Sequence, residues 1–372
     1  MNHYPSNVKE KLNSIILSMA EHHWLFSKNP GHDFTRQHLG KLSFYDTMRL
    51  IISMGKGSTN DEIMGYFDLD PDLIPSQSAF CQRRRQISLS AFEYLFSEFS
   101  SSFPSTTDKF KDHCILACDG CHVVYATNSD IIEDYNKPRL IDYKGYNHMH
   151  LNGFVDVISK AFLDVVIQPG QQPDEREALH SMLDHFTPDD PQKYIITADR
   201  GYESYDLLFH CEFKNLGYVF RVKSPSFHKS ILSYYASEFP DDLEEFDVTI
   251  KRFFTKKATN IMKSQSDVYR YINPSKNTPH FYELLRKNHS HLYFLQFRVV
   301  KIKTAENTYE YLITNLPFSF TLDDIQECYH WRWGIEISFR YVKHAAGLLY
   351  FHSKQPEFLK QEIDSRLILY NF

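Results

Sequence analysis

Three carboxylates, Asp119, Asp199 and Glu336, stand far apart in the chain but in settings that suit phosphoryl chemistry. Asp119 follows the apolar run Ile115 to Cys118, and Asp199 follows Tyr194 to Ala198 in the same way. Each is expected to cap a buried strand, where mixed sheets commonly display catalytic groups, although an Asp before Gly is also an ordinary turn signal. Glu336 lies in a segment of helical periodicity that starts near Thr321. At about 100° per residue, Arg332, Glu336 and Lys343 fall roughly 300°, 340° and 320° around the axis from Tyr329, so the four share one stripe. Arg340, at about 20°, lies beside them. Cys328, Trp331, Ile335, Phe339, Val342 and Ala346 form the neighbouring stripe, expected to bury this helix against a sheet. A solvated face with an Arg332–Glu336 pair at i, i+4 accounts for the charges. It does not account for an aromatic hydroxyl and two or three cations in a row. Such a row suits a phosphodiester backbone, with the carboxylate inside it delivering a metal ion to one phosphate.

The elements that must position these groups change character along the chain. Residues 1–105 read as helical, with apolar periodicity in Val8 to Met19, Phe44 to Met54, Glu62 to Phe67 and Phe92 to Phe99. Ser58 and Ser76 are expected N-caps, the second opening a helix that carries Arg83, Arg84 and Arg85. Short helices joined by tight turns can place one helix in a DNA groove, and they also make ordinary bundles. From Cys114 the pattern turns to strands: Ile115 to Cys118, His122 to Thr127, Leu151 to Ile158 and Ala161 to Ile167. A helix (Asp174 to Phe186), a strand (Tyr194 to Ala198), a helix (Tyr205 to Lys214) and a strand (Tyr218 to Val222) follow. A meander followed by alternating strands and helices implies a mixed α/β sheet covered by helices. The stretch from about 224 to 305 lacks clean periodicity and is expected to interrupt the sheet, which resumes at Tyr309 to Thr314.

The composition narrows the function classes. With 372 residues, 42% of them hydrophobic, the chain can bury a sizeable core in two or three regions. No apolar run approaches the roughly 20 residues that cross a bilayer, and the N-terminus lacks a signal peptide's apolar core, so a cytoplasmic protein without membrane contact is expected. Six cysteines are too few for a disulfide scaffold, and Cys118-Asp-Gly-Cys121-His122, which formally matches a haem-attachment pattern, sits in an apolar run and reads as core. The net charge of -6 excludes a uniformly basic DNA-coating protein. A local basic region remains: between Lys251 and Lys303 twelve basic residues, Lys256 and Lys257 among them, face two acidic ones, directly after the acidic run Asp241 to Asp247. Such an imbalance is the footprint expected of a phosphate-binding surface.

On these motifs the chain resembles the bacterial insertion-sequence DDE transposases of the cut-and-paste composite-transposon type. Tyr329, Arg332, Glu336 and Lys343 meet that family's Y-(2)-R-(3)-E-(6)-K box at every position. Leu116-Ala-Cys-Asp-Gly120 and Thr197-Ala-Asp-Arg-Gly-Tyr-Glu-Ser-Tyr-Asp206 resemble the segments around its first and second catalytic aspartates. Phe34 to Phe44 and Met54 to Ser58 resemble its leading helical domain. The resemblance implies an RNase H-like core (106–223 and 306–372) interrupted by a mainly β insertion (224–305) and preceded by an all-helical DNA-binding domain (1–105). The gaps agree: 80 residues from Asp119 to Asp199 and 137 from Asp199 to Glu336. It further implies that Asp119, Asp199 and Glu336 hold two Mg²⁺ ions, with Mn²⁺ as a substitute, that cut double-stranded DNA at terminal inverted repeats and join it to target DNA. Tyr329, Arg332 and Lys343 would grip phosphates, with Arg340, Arg83, Arg84, Lys256 and Lys257 as further DNA contacts, in a homodimeric synaptic complex. Finally, the apolar end Ser365 to Phe372 has no capping residue, and the family continues past this point into further helices. An exposed, association-prone patch of Leu367, Ile368, Leu369 and Phe372 is therefore expected.

Overall fold

A computed structural model describes residues 4–35, 42–102, 109–138, 144–240, 242–257, 259–273 and 278–372. Part of the leading-domain resemblance (36–41), Asp241 of the acidic run and Lys276 of the basic one lie outside them.

Five helices lead: α1 (Tyr4–Glu21), α2 (Phe44–Ser53), α3 (Thr59–Tyr66), α4 (Gln77–Gln86) and α5 (Leu89–Ser101). Ser43, Ser58 and Ser76 cap α2, α3 and α4 by accepting the backbone N–H three residues on, and Asp46 and Asp61 return the bond to close two capping boxes. The sheet follows: β1 (Cys114–Tyr125), β2 (Tyr135–Asn136), β3 (Tyr146–Asp156), β4 (Phe162–Pro169), then α6 (Glu175–His185), β5 (Tyr194–Ala198), α7 (Tyr205–Lys214) and β6 (Gly217–Val222). β3 pairs antiparallel with β1 and β4, while β5 pairs parallel with β1 and β6. This meander-then-parallel order is the mixed sheet of the RNase H-like expectation.

The region without clean periodicity forms β7 (Phe246–Thr255), α8 (Asn260–Ser264), β8 (Tyr269–Tyr271), α9 (Pro279–Lys287) and β9 (Leu292–Ala305). Together with β10 (Thr308–Thr314) these strands extend one sheet of ten, ordered β2-β3-β1-β5-β6-β10-β9-β7-β8, with β4 on β3. Strands of 10 and 14 residues were hidden because Lys251, Arg252, Arg298, Lys301 and Lys303 break the apolar alternation. Helices α10 (Leu322–Trp331), α11 (Gly334–His344) and α12 (Pro356–Asn371) close the chain.

Two cores flank the sheet, as the alternation of β1 requires. Leu116 and Cys118 face a core shared with α6, α7 and α9, whereas Ile115 and Ala117 face one shared with α1–α5 and α10–α12. Helix α12 lies within the second core, packed on α5 and α2, and Asn371 fastens its end by exchanging hydrogen bonds with the backbone of Phe162 in β4. This corrects the expectation at the C-terminus: Leu367 and Ile368 are fully buried, leaving Leu369 and Phe372 exposed.

α12 also buries Asp364, whose Oδ2 meets no hydrogen-bond partner among the described residues. Burial, with Glu93 nearby, holds its carboxyl well above the usual range. A carboxyl raised in the folded state stabilises fully only below its unfolded value of about 3.9, and that contribution is lost as pH rises. Asp364→Asn is therefore expected to stabilise the protein by about 1–3 kcal/mol at pH 8, and by less at pH 5. Urea midpoints at the two pH values check this; a gain that does not depend on pH would contradict it.

Candidate active site

The parallel register places Cys118 of β1 beside Ala198 of β5, so Asp119 and Asp199 are neighbours where the pair ends. Contrary to the expectation from the sequence, Asp119 does not cap its strand. β1 runs on to Tyr125 against β3, with Asp119 opposite Gly153. The apolar run stops at Cys118 because its parallel partner stops there, not because the strand does. Strand parity carries Asp119 and Asp199 to the α10–α11 face with Ala117 and Ile195, and the same parity adds Arg221 of β6 and Glu310 of β10. A row of charged side chains crosses four strands, in which Arg221 lies 3.7 Å from Asp199 and 3.0 Å from Glu310.

The helical segment above this row is bent. The expected single helix ends at Trp331 and restarts at Gly334, with Arg332 and Trp333 in the turn between. Arg332 and Ile335 bond back only three residues, to Tyr329 and Arg332, so the turn is tighter than α-helix. The break turns Trp331 into solvent, against expectation, while Cys328, Ile335, Phe339 and Val342 are buried as expected. α11 then follows β1 closely. A Cβ on Gly153 would fall 2.7 Å from the Phe162 ring and 3.0 Å from the Phe339 ring, so glycine opposite Asp119 lets both rings pack close over β3.

The bend also turns Arg332 inward. Its side chain is 3% exposed, and its guanidinium bridges the acids, 3.4 Å from Asp119 and 3.4 Å from Glu336. Tyr329 is buried against the same guanidinium, whose carbon lies 5.6 Å from the ring centroid. Tyr329 Oη and Arg332 Nε find no hydrogen-bond partner of good geometry among the described residues. Desolvation pushes the Asp119 carboxyl up to about 6, against the Gly120 N–H and Arg332, which pull it down. Desolvation likewise raises the Tyr329 hydroxyl to about 12. Lys343, two turns on, lies against the Cys121 thiol, and Arg340 is exposed.

The structure therefore gathers Asp119, Asp199, Glu336, Tyr329 and Arg332 at one place, with Lys343 along the same helix. Transposase DDE domains match residues 110–372 of this chain. The chain belongs to the DDE transposase domain family. No curated protein matches it. Among solved structures it is similar to the cryo-EM structure of the piggyBac transposase synaptic complex with hairpin DNA, at 10% identity and a TM-score of 0.42, over 87% of this chain and 62% of that one. The chain thus spans less than two thirds of that protein's length.

Other expected site residues of this transposase-family chain lie elsewhere. Arg84 faces inward: it donates to Glu362 (2.8 Å), Gln361 (3.0 Å) and the Phe358 carbonyl (2.7 Å) of α12, and is not offered to DNA. Three consecutive arginines on a helix cannot all face one way, and α12 claims the middle one. Arg83 lies over the Phe34 ring and is half-buried. Lys256 lies over the Tyr282 ring and Lys257 is exposed, but both follow the far end of β7. Val222 pairs with Tyr311, Tyr311 with Lys301 and Lys301 with Phe246, so β7 begins at the carboxylate edge and ends roughly 30 Å away. Nor is the basic excess uncompensated: Arg252 pairs with Glu238, Arg298 with Asp247 and Lys303 with Glu244.

Three residues of the site escaped the sequence reading: Arg221, Glu310 and Glu175. Arg221 was the signal available, the one charge within the apolar strand Tyr218 to Val222. Glu175, at the start of α6, reaches the opposite side of Asp119–Gly120, where a Cβ on Gly120 would fall 2.7 Å from its Oε1 and 2.3 Å from His150 Nε2. Nothing in the sequence pairs Glu175 with Gly120; β4 and the loop after it bring them together.

Proposed function

We propose that the chain is a DNA transposase that cleaves the terminal inverted repeats of an insertion sequence and joins the freed 3′ ends to target DNA. The observation that carries this reading is the convergence of Asp119, Asp199 and Glu336 on one sheet edge beside the buried Tyr329 hydroxyl and Arg332 guanidinium. The donor set fits hard divalent cations: all three ligands are carboxylates, with no sulfur or imidazole among them. Two Mg²⁺ ions, or Mn²⁺ in their place, would supply Lewis acidity toward the scissile phosphate and both its reacting oxygens.

The chain's own residues bind and orient. Arg332 balances Asp119 and Glu336 in the free protein and, with its unused Nε–H, donates to a phosphate oxygen when DNA arrives. Tyr329 presents a neutral hydroxyl donor, since burial keeps it protonated. Lys343 and exposed Arg340 continue the track toward the far end of α11, where they serve as point charges on the flanking backbone. Arg83, Lys256 and Lys257 bear on more distant DNA. A homodimer pairs the two transposon ends in this reading. Among the described residues, no helix is long and apolar enough to cross a membrane.

The test is a paired-end assay with duplexes carrying the element's terminal repeats, a target plasmid and Mg²⁺. Cleavage and end-joined product are expected. Cleavage without joining would make the chain a metal-dependent nuclease, and binding without either would make it an inactive DNA-binding relative. In the same assay Lys343→Ala is expected to weaken binding to a pre-cut end and to reduce the slope of log affinity against log salt by about one counterion. An unchanged slope would return Lys343 to an ordinary solvated face.

A further inference from the structure

On the sheet face opposite Arg332 and Glu336, three helices bring one histidine each to a common point: His180 of α6, His210 of α7 and His280 of α9. One ring nitrogen from each lies within 4.8 Å of the others, and among the described residues no second group of three His, Cys, Asp or Glu side chains is so placed. His180 Nδ1 and His210 Nδ1 are 2.9 Å apart. The rings lie nearly parallel, with His280 3.7 Å from His210 and 4.4 Å from His180 between centroids.

His210 is fully buried, and its Nε2 has no hydrogen-bond partner among the described residues; the nearest acid oxygen, Asp184 Oδ1, lies 3.2 Å away off the bonding direction. Asp206 is also buried and orients the group. Its Oδ2 is 2.8 Å from His280 Nδ1 and 3.5 Å from His180 Nε2, while its Oδ1 accepts the Phe281 N–H at the start of α9. A carboxylate holding the far nitrogen of an imidazole is the usual outer support of a metal-bound histidine.

We propose that His180, His210 and His280 form a structural zinc site, with Asp206 as the outer carboxylate and Asp184 or water in the fourth position. Three imidazoles select a borderline ion over Mg²⁺, which keeps this site chemically distinct from the all-carboxylate edge. Four-coordinate zinc with bonds of about 2.0–2.1 Å sets nitrogen separations near 3.3 Å, so binding would turn the stacked rings out of their parallel planes until their in-plane lone pairs converge. Its place in the chain assigns its role. α9 belongs to the segment inserted between β6 and β10, whereas α6 and α7 belong to the layer beneath Asp119 and Asp199. One ion would therefore lock the inserted segment to the catalytic layer. This inference does not depend on the proposed transposition activity.

The experiment is metal analysis of the full chain after gel filtration without chelator, followed by chelation and reconstitution with Zn²⁺ or Co²⁺ alone. About one zinc per chain is expected, retained in Asp119→Asn and lost in both His210→Gln and His280→Gln. The cobalt form should show the intense visible absorption of a tetrahedral site, and zinc should raise the thermal midpoint of the chelated protein. Because a histidine variant can fail simply by misfolding, the cobalt spectrum of the unsubstituted chain is decisive. A chain that takes up neither ion, gives an octahedral cobalt spectrum, or keeps its zinc in both folded histidine variants overturns the proposal.

Discussion

Asp119→Asn, Asp199→Asn and Glu336→Gln should each lower Mg²⁺-dependent cleavage of a terminal-repeat duplex by roughly a thousandfold or more, with end binding changed only a few-fold. The size follows from the charge involved. Each acid supplies negative oxygen to the cations that stabilise several kcal/mol of developing charge, and a factor of ten in rate corresponds to about 1.4 kcal/mol. Amide replacements keep the shape, so the packing of α11 over Gly153 and the Arg332 bridge can persist through neutral hydrogen bonds. Binding survives because phosphate contacts come from other residues. Single-turnover cleavage together with a gel-shift titration separates the two effects. A variant that still cleaves at even a tenth of the original rate would remove that residue from the metal-holding set.

Arg84→Ala should be the most destabilising exposed-to-solvent-looking change that the sequence offers, costing about 3–5 kcal/mol. Read from the sequence, Arg84 is one of three neighbouring cations on a presumed DNA-facing helix. In the folded chain it is a buried charge whose three bonds all go to α12, and its removal takes the guanidinium from the buried Glu362, which keeps only its contacts with the His352 backbone N–H and imidazole. Breaking such a pair from one side costs far more than the pair contributes, because the remaining ion stays desolvated. Its exposed neighbour gives the control: Arg85→Ala should stay within about 0.5 kcal/mol. Replacing both members, Arg84→Met with Glu362→Leu, should regain much of the loss. Urea unfolding gives the energies. A large loss of DNA affinity in a fully folded Arg84→Ala protein, with an unchanged unfolding midpoint, would restore Arg84 to the DNA surface and refute the buried-clamp reading.

The sequence by itself determined the local elements and the identity of the chemistry-bearing residues. Serine caps, the helical period of α10 and α11, and the strand Tyr194–Ala198 are encoded within a few residues, where propensity and periodicity act. The spacing of Tyr329, Arg332, Glu336 and Lys343 was equally legible, since one helix face needs only its own residues. The bend at Arg332 was not, because no proline marks it and its cost is met by contacts with Asp119, 213 positions away. Tertiary structure alone decided which charges are spent inside the molecule. Arg84, Arg252 and Arg298 read as free cations in a one-dimensional count, but each ends in an ion pair with a distant acid. The strands of the inserted segment were obscured for the same reason, their buried arginines breaking the apolar alternation that marks a strand. Helix α12 shows the limit most plainly: its buried Gln361, Glu362 and Asp364 make the sequence look amphipathic, and only the arrival of α2, α5 and β4 around it turns that mixed surface into core. Patterns of hydrophobicity report what a segment does with water, whereas burial of a charge depends on a partner that folding must first bring to it.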